Sequence, residues 1–312
     1  MHRPQITVFG GSGFIGRHIV RRLADRGAMV QVAVRDPIAA AFLKPMGDVG
    51  QIVPLFADVG IPESVASALA GSNAVINLVG ILAPAGRNTF EHTQAIGAGN
   101  VARAAAVAGA KHLIHMSAIG ANANGKAAYA RTKGAGEEAV RAAFPQATIL
   151  RPSVVFGPED NFFNQFASLA RLLPALPVFG GRNGPRFQPV YVSDVADAAV
   201  TAAFGDTAAG KTYELGGPRI YTFRQILERV LTDIGRRRPL ISIPLGLAAI
   251  AGAMAQILPK PLLTRDQVLL MKRDNVVSQG ALTLADLGIE ATAAEAILPG
   301  YLRVYRRPRH RA

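Results

Sequence analysis

The sequence predicts an α/β protein with a doubly wound parallel sheet, and three observations lead to that class. A β-branched run at residues 6–9 enters a glycine-rich turn, and an apolar helical pattern follows the turn. Strand-like and helix-like segments then alternate through the first half of the chain, which is typical of right-handed β-α-β crossovers. Half of the 312 residues are hydrophobic, so the chain can bury a sizeable core.

The glycine-rich turn has the spacing Gly10-x-x-Gly13-x-x-Gly16. Gly10 allows a tight reversal, Gly13 has no Cβ to keep the backbone away from a diphosphate, and Gly16 lets the helix pack closely on the strand. An anion at this place meets unpaired N–H groups at the positive end of the helix dipole. The turn therefore predicts a dinucleotide site, and a turn without a ligand is the plainer alternative.

The later elements follow from hydrophobic period and from turn residues. The predicted strands are short apolar runs, which polar or turn-forming residues end. Helical patterns lie between these runs. The predicted strands after the first are 29–34, 52–57, 74–80, 112–116 and 147–151. The predicted helices include 62–69, 89–108 and 222–234.

The end of the second strand indicates the coenzyme, because an acid there accepts from a ribose 2′-OH and an arginine accommodates a 2′-phosphate. Arg35 occupies this position and Arg17 lies in the first helical turn, which favours NADPH over NADH. Asp36, the next residue, is the argument for NADH. We expect Asp58 to face the adenine edge and Gly80 to lie close to the cofactor.

A candidate catalytic group follows the fifth strand. Ser117 ends that strand, and Tyr129 and Lys133 are four residues apart, hence on one helix face. A nearby ammonium favours the phenolate, so Lys133 is expected to lower the pKa of Tyr129 from about 10 toward neutrality. Tyr129 would then exchange a proton with a carbonyl or alcohol that Ser117 holds, while Lys133 also binds the nicotinamide ribose. By itself, a Y-x-x-x-K motif often occurs by chance, but between the fifth and sixth strands of a nucleotide-binding fold it is informative.

Together these motifs resemble those of short-chain dehydrogenases/reductases of the extended or atypical branch, which have a Rossmann-type sheet. Residues 151–158, 186–196 and 213–218 extend the resemblance. It implies a nucleotide-binding domain at 1–151, completed by about 189–204. A smaller, discontinuous substrate-side and partner-docking region is then expected at 152–188 and 205–312.

The resemblance also implies a set of cofactor-binding positions. These are Gly10, Gly13, Phe14, Ile15, Gly16, Arg17, Arg35, Asp58, Val59, Val79, Gly80, Tyr129, Lys133 and Pro152. Two departures make catalysis less secure than the fold. The interval from Ser117 to Tyr129 is shorter than the branch usually has, and Met116 stands where many members have a hydroxyl residue.

Other segments resemble a narrower family, the nucleotide-binding accessory subunits of respiratory complex I (NADH:quinone oxidoreductase). These segments are residues 133–145, 156–167, 188–195, 263–268 and 284–289. The resemblance implies a tightly held, structural NADPH and a role in assembly and stability. It also implies partners on the peripheral arm near the quinone module, at the cytoplasmic face of a bacterial inner membrane or the matrix face of a mitochondrial one.

Composition narrows the chemistry. The chain has no cysteine, which excludes disulfides and thiolate ligands, and its six histidines form no H-x-x-x-H pair, so no metal site is predicted.

The formal charge of +13 suits an anionic partner. Clusters occur at residues 236–238 and in the tail, where Arg303, Arg306, Arg307, Arg309 and Arg311 stand, although a solvated tail is an equal alternative. Residues 1–5 contain no apolar leader, so we expect use in a cytoplasm or, after removal of a leader, in an organelle.

Prolines bracket an apolar segment that predicts a helix of about fifteen residues at 243–258, short of the ~20 that a bilayer span needs. A buried core helix, a helix at the lipid surface and a helix that docks a partner all remain open. Flanking cations at 236–238 and Lys260 favour an anionic membrane surface.

Three functions therefore compete. The first is the structural, NADPH-holding accessory subunit, and the second is a free NADPH-dependent reductase, dehydrogenase or epimerase that uses Ser117, Tyr129 and Lys133. The third is a redox-sensing or RNA-binding regulator. The sequence lacks a platform of interleaved aromatic and basic residues, so we do not expect it to bind nucleic acid.

Overall fold

A computed structural model describes residues 3–181, 184–244, 246 and 265–306 of the chain. Its strands are β1 Gln5–Phe9, β2 Met29–Val34, β3 Ile52–Phe56, β4 Ala74–Asn77, β5 His112–Met116, β6 Thr148–Pro152, β7 Val155–Phe156, β8 Leu176–Phe179, β9 Arg186–Phe187, β10 Val190–Tyr191, β11 Thr212–Leu215, β12 Tyr221–Thr222 and β13 Leu240–Ile243. Its α-helices are α1 Phe14–Asp25, α2 Pro62–Ala68, α3 Gly97–Val107, α4 Ala128–Ala143, α5 Phe163–Leu172, α6 Val192–Phe204, α7 Phe223–Asp233, α8 Arg265–Leu270 and α9 Ala294–Leu302.

Seven strands form one sheet in the order β11-β6-β5-β4-β1-β2-β3, and every pair in it is parallel. The order runs outward from β1 in both directions, as a doubly wound fold requires. Val8, Val32 and Ile76 are fully buried because helices cover both faces of such a sheet. The predicted fold class is confirmed.

The sheet belongs to the first of two compact units, which contains the chain up to Pro152, Val192–Leu215 and Gln279–Glu290. The edge strand β11 lies beyond the predicted completion at about 204 and pairs with β6. The core under α3 and α4 includes Val101, Leu113, Val140 and Ile149, each at most 1% exposed. The predicted domain boundaries stay a prediction.

The second unit contains Ser153–Tyr191, Gly216–Ser278 and the chain from Ala291. Its strands pair in twos: β7 with β10, β9 with β12 and β8 with β13. Its core is aromatic, with Phe156, Phe163 and Phe223 at most 2% exposed. Helix α7 begins in a capping box in which Thr222 accepts from the Gln225 N–H, which fixes its start next to the predicted residue.

Side chains of the predicted motifs hold the loops of the second unit together. Asn275 Oδ1 accepts from Ser153 Oγ at 2.6 Å and from the Val154 N–H at 3.1 Å. Asp160, 3% exposed, accepts from the Tyr301 hydroxyl at 2.5 Å and from the Phe162 N–H at 2.8 Å. These segments therefore have a structural role within the unit.

The predicted apolar helix at 243–258 falls almost entirely outside the described residues, as do Arg307, Arg309, Arg311 and residues 263–264. Across 3–181, 184–244, 246 and 265–306, no helix combines the length and the hydropathy that a membrane span needs.

Candidate nucleotide-binding site

The glycine-rich turn between β1 and α1, which we call the cradle (residues 10–16), is the candidate site for a diphosphate. Gly10 has a φ of +75°, and its N–H donates to the Ala33 carbonyl at 3.0 Å, so the turn is tied to the end of β2. Helix α1 begins at Phe14. The N-cap residue Gly13 has no side chain to cap the helix, and no acidic residue lies in the first turn. The first N–H groups of α1 and its dipole are therefore available to a diphosphate.

The glycines of the cradle have different roles. A Cβ added to Gly16 would lie 2.5 Å from the Gly10 carbonyl oxygen and 2.6 Å from Gly11 Cα, so Gly16 permits close packing of α1 on the turn. A Cβ added to Gly13 would meet only the Gly10 carbonyl oxygen, at 3.3 Å. Gly13 is exposed, so its missing side chain leaves room for a ligand and does not serve packing.

The end of β4 lies beside the cradle. A Cβ added to Gly10 would be 3.4 Å from Val79 Cγ2, and the Leu78 N–H donates to the Phe9 carbonyl at 3.0 Å. Phe14 and Ile15, at the start of α1, are half-buried. The structure thus places the predicted positions Gly10 and Val79 next to each other, at the ends of β1 and β4.

The end of β2 presents a cation. Arg35 is exposed, and its Nη1 donates to Asn88 Oδ1 at 2.8 Å. Asp36 is exposed as well, and its Oδ1 accepts from the Ala39 N–H at 2.9 Å, which closes a local turn. The Arg17 guanidinium lies 5.3 Å from the centroid of the Phe42 ring.

Asp58 is bound to its own turn rather than directed outward. Its Oδ1 accepts from the Gly60 N–H at 2.9 Å, and its carbonyl accepts from Ser64 Oγ at 3.0 Å. Val59 is 7% exposed, and its carbonyl accepts from Asn100 Nδ2 at 2.8 Å. The contact of Asp58 with adenine stays a prediction.

Lys133 lies in the predicted place on α4. It is 4% exposed, and its Nζ donates to the Met116 carbonyl at 2.9 Å. A Cβ added to Gly80 would lie 3.1 Å from the same Nζ, so the ammonium and the end of β4 share one space. Ser117 is 3% exposed, and its Oγ finds no hydrogen-bond partner within the described part of the chain. Pro152, at the end of β6, accepts from the Ile119 N–H at 3.0 Å.

The expected lowering of the Tyr129 pKa is wrong for this structure. Burial raises the pKa of Tyr129 to about 12, since a phenolate loses more hydration than a phenol. Phe90 packs edge-on against the ring, with 6.0 Å between ring centroids. The Lys133 ammonium serves the Met116 carbonyl, and burial lowers its own pKa to about 8, an effect that the Glu137 charge partly opposes.

Sequence reasoning missed a polar seam between α3 and α4. The predicted helix 89–108 begins with a π-helical turn at Glu91–Ile96, and Gln94 in that turn is 1% exposed. Gln94 Nε2 donates to the Ile81 carbonyl at 2.7 Å, and its Oε1 accepts from Thr132 Oγ1 at 2.9 Å. This bridge fixes α4 next to the segment that follows β4. A π-turn gives no separate signal in the sequence, although such turns often lie at functional sites.

A second missed feature is the ion pair below Lys133. Glu137, 1% exposed, accepts from Arg151 Nε at 2.8 Å and from Arg151 Nη2 at 2.7 Å. The sequence places Glu137 one helical turn after Lys133, but it contains no sign of the pairing with Arg151. Within the described ranges, no three His, Asp or Glu side chains gather as metal ligands would.

Comparison with known proteins gives three results. Residues 10–164 match an NAD(P)H-binding family. The chain is 35% identical over 303 residues to the mitochondrial NADH-ubiquinone oxidoreductase 40 kDa subunit of Neurospora crassa, covering 96% of this chain and 79% of that one. It is 31% identical over 254 residues to a ceramide reductase of Caulobacter vibrioides, covering 81% and 77%.

The fold also has solved neighbours. The dTDP-glucose 4,6-dehydratase DesIV of Streptomyces venezuelae, solved with NAD bound, superposes with a TM-score of 0.73 over 96% of each chain. The two sequences are 19% identical, so this likeness concerns the fold alone.

Proposed function

Because this chain belongs to the family of complex I accessory subunits, we propose that it holds NADPH as a structural and assembly subunit of that complex. The observation that carries the proposal is the 35% identity that extends over 96% of the chain, well beyond the nucleotide-binding segment. The NAD(P)H-binding capacity belongs to the family, whereas the choice of NADPH, the absence of turnover and the partners are proposed.

Arg35 supports the choice of NADPH. Its guanidinium is exposed at the end of β2, and among the described residues no carboxylate pairs with it. A planar guanidinium can bind a phosphate through two hydrogen bonds, whereas a ribose hydroxyl offers it no charge. Asp36, which would favour NADH, is engaged with the Ala39 N–H.

The protonation of Tyr129 supports a cofactor that is held rather than turned over. A phenol with a pKa of about 12 is a poor general base near neutral pH, because the phenolate is scarcely populated. A bound nicotinamide would supply hydride chemistry to this place, and Lys133 and Gly80 are the residues that would lie along its ribose. These residues can therefore bind and orient a nucleotide, and we expect so weakly acidic a phenol to exchange protons with a substrate only slowly.

Partners on the peripheral arm and an anionic membrane surface belong to the same proposal. In the second unit, Arg236, Arg237 and Arg238 line an open cavity of about 520 Å³. Arg306, in the same unit, donates from its Nε to the Asp233 carbonyl at 2.7 Å. We infer that this basic face meets anionic headgroups at the cytoplasmic or matrix side.

Cosedimentation with phosphatidylglycerol vesicles tests this inference. Arg237→Ala should lower the fraction of the protein that sediments with the vesicles, whereas Arg21→Ala, on an exposed part of α1, should leave that fraction unchanged.

The experiment that tests the subunit role is deletion of the gene followed by native electrophoresis of solubilised membranes. We expect less fully assembled complex and its recovery on re-expression, with this chain present in the recovered complex. Normal assembly in the deletion strain, together with absence of the chain from the purified complex, would contradict the proposal.

The second candidate is a free NADPH-dependent reductase, which draws on two observations. Ser117 directly follows β5, Tyr129 and Lys133 lie in the first two turns of α4, and one relative is a ceramide reductase. Reduction of a carbonyl substrate by NADPH that disappears in Tyr129→Phe would establish this candidate.

A further inference from the structure

The short segment that follows β4, residues 81–89, is shaped by its own backbone. The Ala85 N–H donates to the Asn88 carbonyl at 3.1 Å, and the Asn88 N–H donates to the Ala85 carbonyl at 3.0 Å. Gly86, in the turn between them, has a φ of +56°, which glycine adopts without strain. The backbone therefore fixes the place of Asn88, and its side chain takes no part in closing the turn.

Both ends of the 81–89 segment are held by the π-helical turn that comes next in the chain. At the start of the segment, the Ile81 carbonyl accepts from Gln94 Nε2 at 2.7 Å, and Gln94 is 1% exposed. At its end, Thr89 Oγ1 accepts from the His92 N–H at 3.1 Å. The segment is thus attached to the first unit on both sides of Asn88.

The side chain of Asn88 reaches the end of β2. Arg35, which directly follows β2, donates from its Nη1 to Asn88 Oδ1 at 2.8 Å. In the sheet β1 lies between β4 and β2, so the strands that carry the two segments are about 10 Å apart. The hydrogen bond therefore joins the chain on both sides of β1, the strand that leads into the cradle.

The Asn88 amide orients Arg35 without reducing its charge. A carboxylate in this place would neutralise the guanidinium, whereas a neutral amide oxygen accepts one of its five N–H groups and leaves the others for a phosphate. Among the described residues, no carboxylate pairs with Arg35. A side chain that is already ordered when its ligand arrives also avoids much of the entropy loss of being ordered on binding.

We propose that Asn88 is a specificity-determining residue that acts through Arg35: it positions the guanidinium for the ribose 2′-phosphate and so favours NADPH over NADH. The proposal rests on the proposed NADPH-binding function and adds to it a positioning residue 53 places further along the chain than Arg35. NADH gains little from this arrangement, since its 2′-OH presents no charge to the guanidinium.

A hydrogen bond that merely occupies Arg35 until the coenzyme arrives makes the opposite prediction. In that case Asn88 competes with the 2′-phosphate, and removing its amide strengthens the binding of NADPH. A purely structural role of Asn88 in the 81–89 segment makes a third prediction, because a disturbed segment weakens both coenzymes alike. The direction of the change and its dependence on the coenzyme thus separate the three roles.

The test is calorimetric titration of the full chain with NADPH and with NADH. In Asn88→Ala, the dissociation constant of NADPH should rise about 3- to 10-fold while that of NADH stays within about twofold of the wild type. In a chain that already carries Arg35→Ala, adding Asn88→Ala should leave the ratio of the two constants unchanged, because Asn88 acts through the guanidinium. Arg87→Ala, at the exposed neighbouring position, is the control and should change neither constant by more than about twofold.

An unchanged or lower dissociation constant of NADPH in Asn88→Ala would overturn the proposal, as would an equal loss for both coenzymes or a full effect in the Arg35→Ala chain. If Asn88→Ala does not fold, Asn88→Leu, which has nearly the same size and no acceptor, is judged by the same criteria. Wild-type protein that binds NADH more tightly, or neither coenzyme, refutes the proposed choice of NADPH and this inference with it. A wild-type preference for NADPH that Asn88→Ala leaves intact refutes the role of Asn88 alone.

Discussion

The cradle and the Ser117, Tyr129 and Lys133 group lie in the same unit, yet they are built in opposite ways. The cradle is made of backbone groups left open, with an exposed Gly13 and a helix start that has no capping side chain. The second group consists of buried side chains, in which Lys133 is engaged with a carbonyl and Tyr129 has a pKa of about 12. Binding of a diphosphate by backbone N–H groups does not depend on the protonation of a side chain, whereas proton transfer by Tyr129 does. The cradle can therefore keep its function where the second group has lost catalysis.

Among substitutions in these two regions, we expect the largest loss of stability at Gly16. Gly16→Ala places a Cβ 2.5 Å from the Gly10 carbonyl oxygen, and the backbone must move to relieve it. We expect a loss of about 3 kcal/mol in the free energy of unfolding, measured by urea denaturation.

Gly300→Ala is the matched control for this substitution. A Cβ at Gly300, also in a helix, meets nothing within 4 Å. This variant should be as stable as the wild type or more stable by about 0.5–1 kcal/mol. Equal stability of Gly16→Ala and the wild type would contradict the packing role of Gly16.

Gly13→Val should separate binding from folding. Its φ of −72° and ψ of −179° suit any residue, and the new Cβ meets only one oxygen at 3.3 Å. The side chain instead occupies the space of the diphosphate, so NADPH affinity should fall about 100-fold while the melting temperature changes little. Calorimetric titration measures the affinity, and undiminished binding would show that the diphosphate lies elsewhere.

Arg35→Asp tests whether a side chain beside the cradle determines the choice of coenzyme. We expect the preference for NADPH over NADH to fall by about 10- to 100-fold, as a carboxylate repels the 2′-phosphate and accepts from a 2′-OH. Dissociation constants for both coenzymes provide the ratio. Asp36→Asn, which removes only the charge next to it, should keep the preference. An equal loss for both coenzymes in Arg35→Asp would mean that the 2′-phosphate is bound by other residues.

The smallest effect is expected from Tyr129→Phe. This change removes a hydroxyl that the structure keeps neutral, so nucleotide content and the amount of assembled complex should stay within about twofold of the wild type. Both are measured in the complex purified from membranes. A large loss of assembly in this variant would show that the hydroxyl has a structural task of its own.

Much of the fold was readable because local pattern and tertiary context agree. The run at Met29–Val34 is a buried strand with the predicted bounds, and the cradle has the predicted strand, turn and helix. Edge strand β11 was not assigned to the sheet, since four residues at Thr212–Leu215 carry no sign of which strand they will join. Pairing between distant segments depends on tertiary packing, which a local period does not contain.

The placement of Tyr129 and Lys133 on one helix was predictable from the sequence, but the protonation of Tyr129 was not. Lys133 and Tyr129 lie on one helix as their spacing requires, but the spacing gave no measure of how deeply they are buried. Burial reversed the expected direction for the Tyr129 pKa. The pairing of Glu137 with Arg151 was equally hidden, because it joins a helix to a strand fourteen residues later in the chain.

The most direct test of a tightly bound NADPH is to identify the small molecules that the chain releases after isolation from the native complex. The complex would be purified from membranes, the chain isolated under mild conditions, denatured, and the released small molecules identified by mass spectrometry. The account predicts about one NADPH per chain, unexchanged after incubation with excess NADH and unoxidised after addition of carbonyl substrates. A chain that carries no pyridine nucleotide, or one whose nucleotide is oxidised at once by a carbonyl, would contradict it.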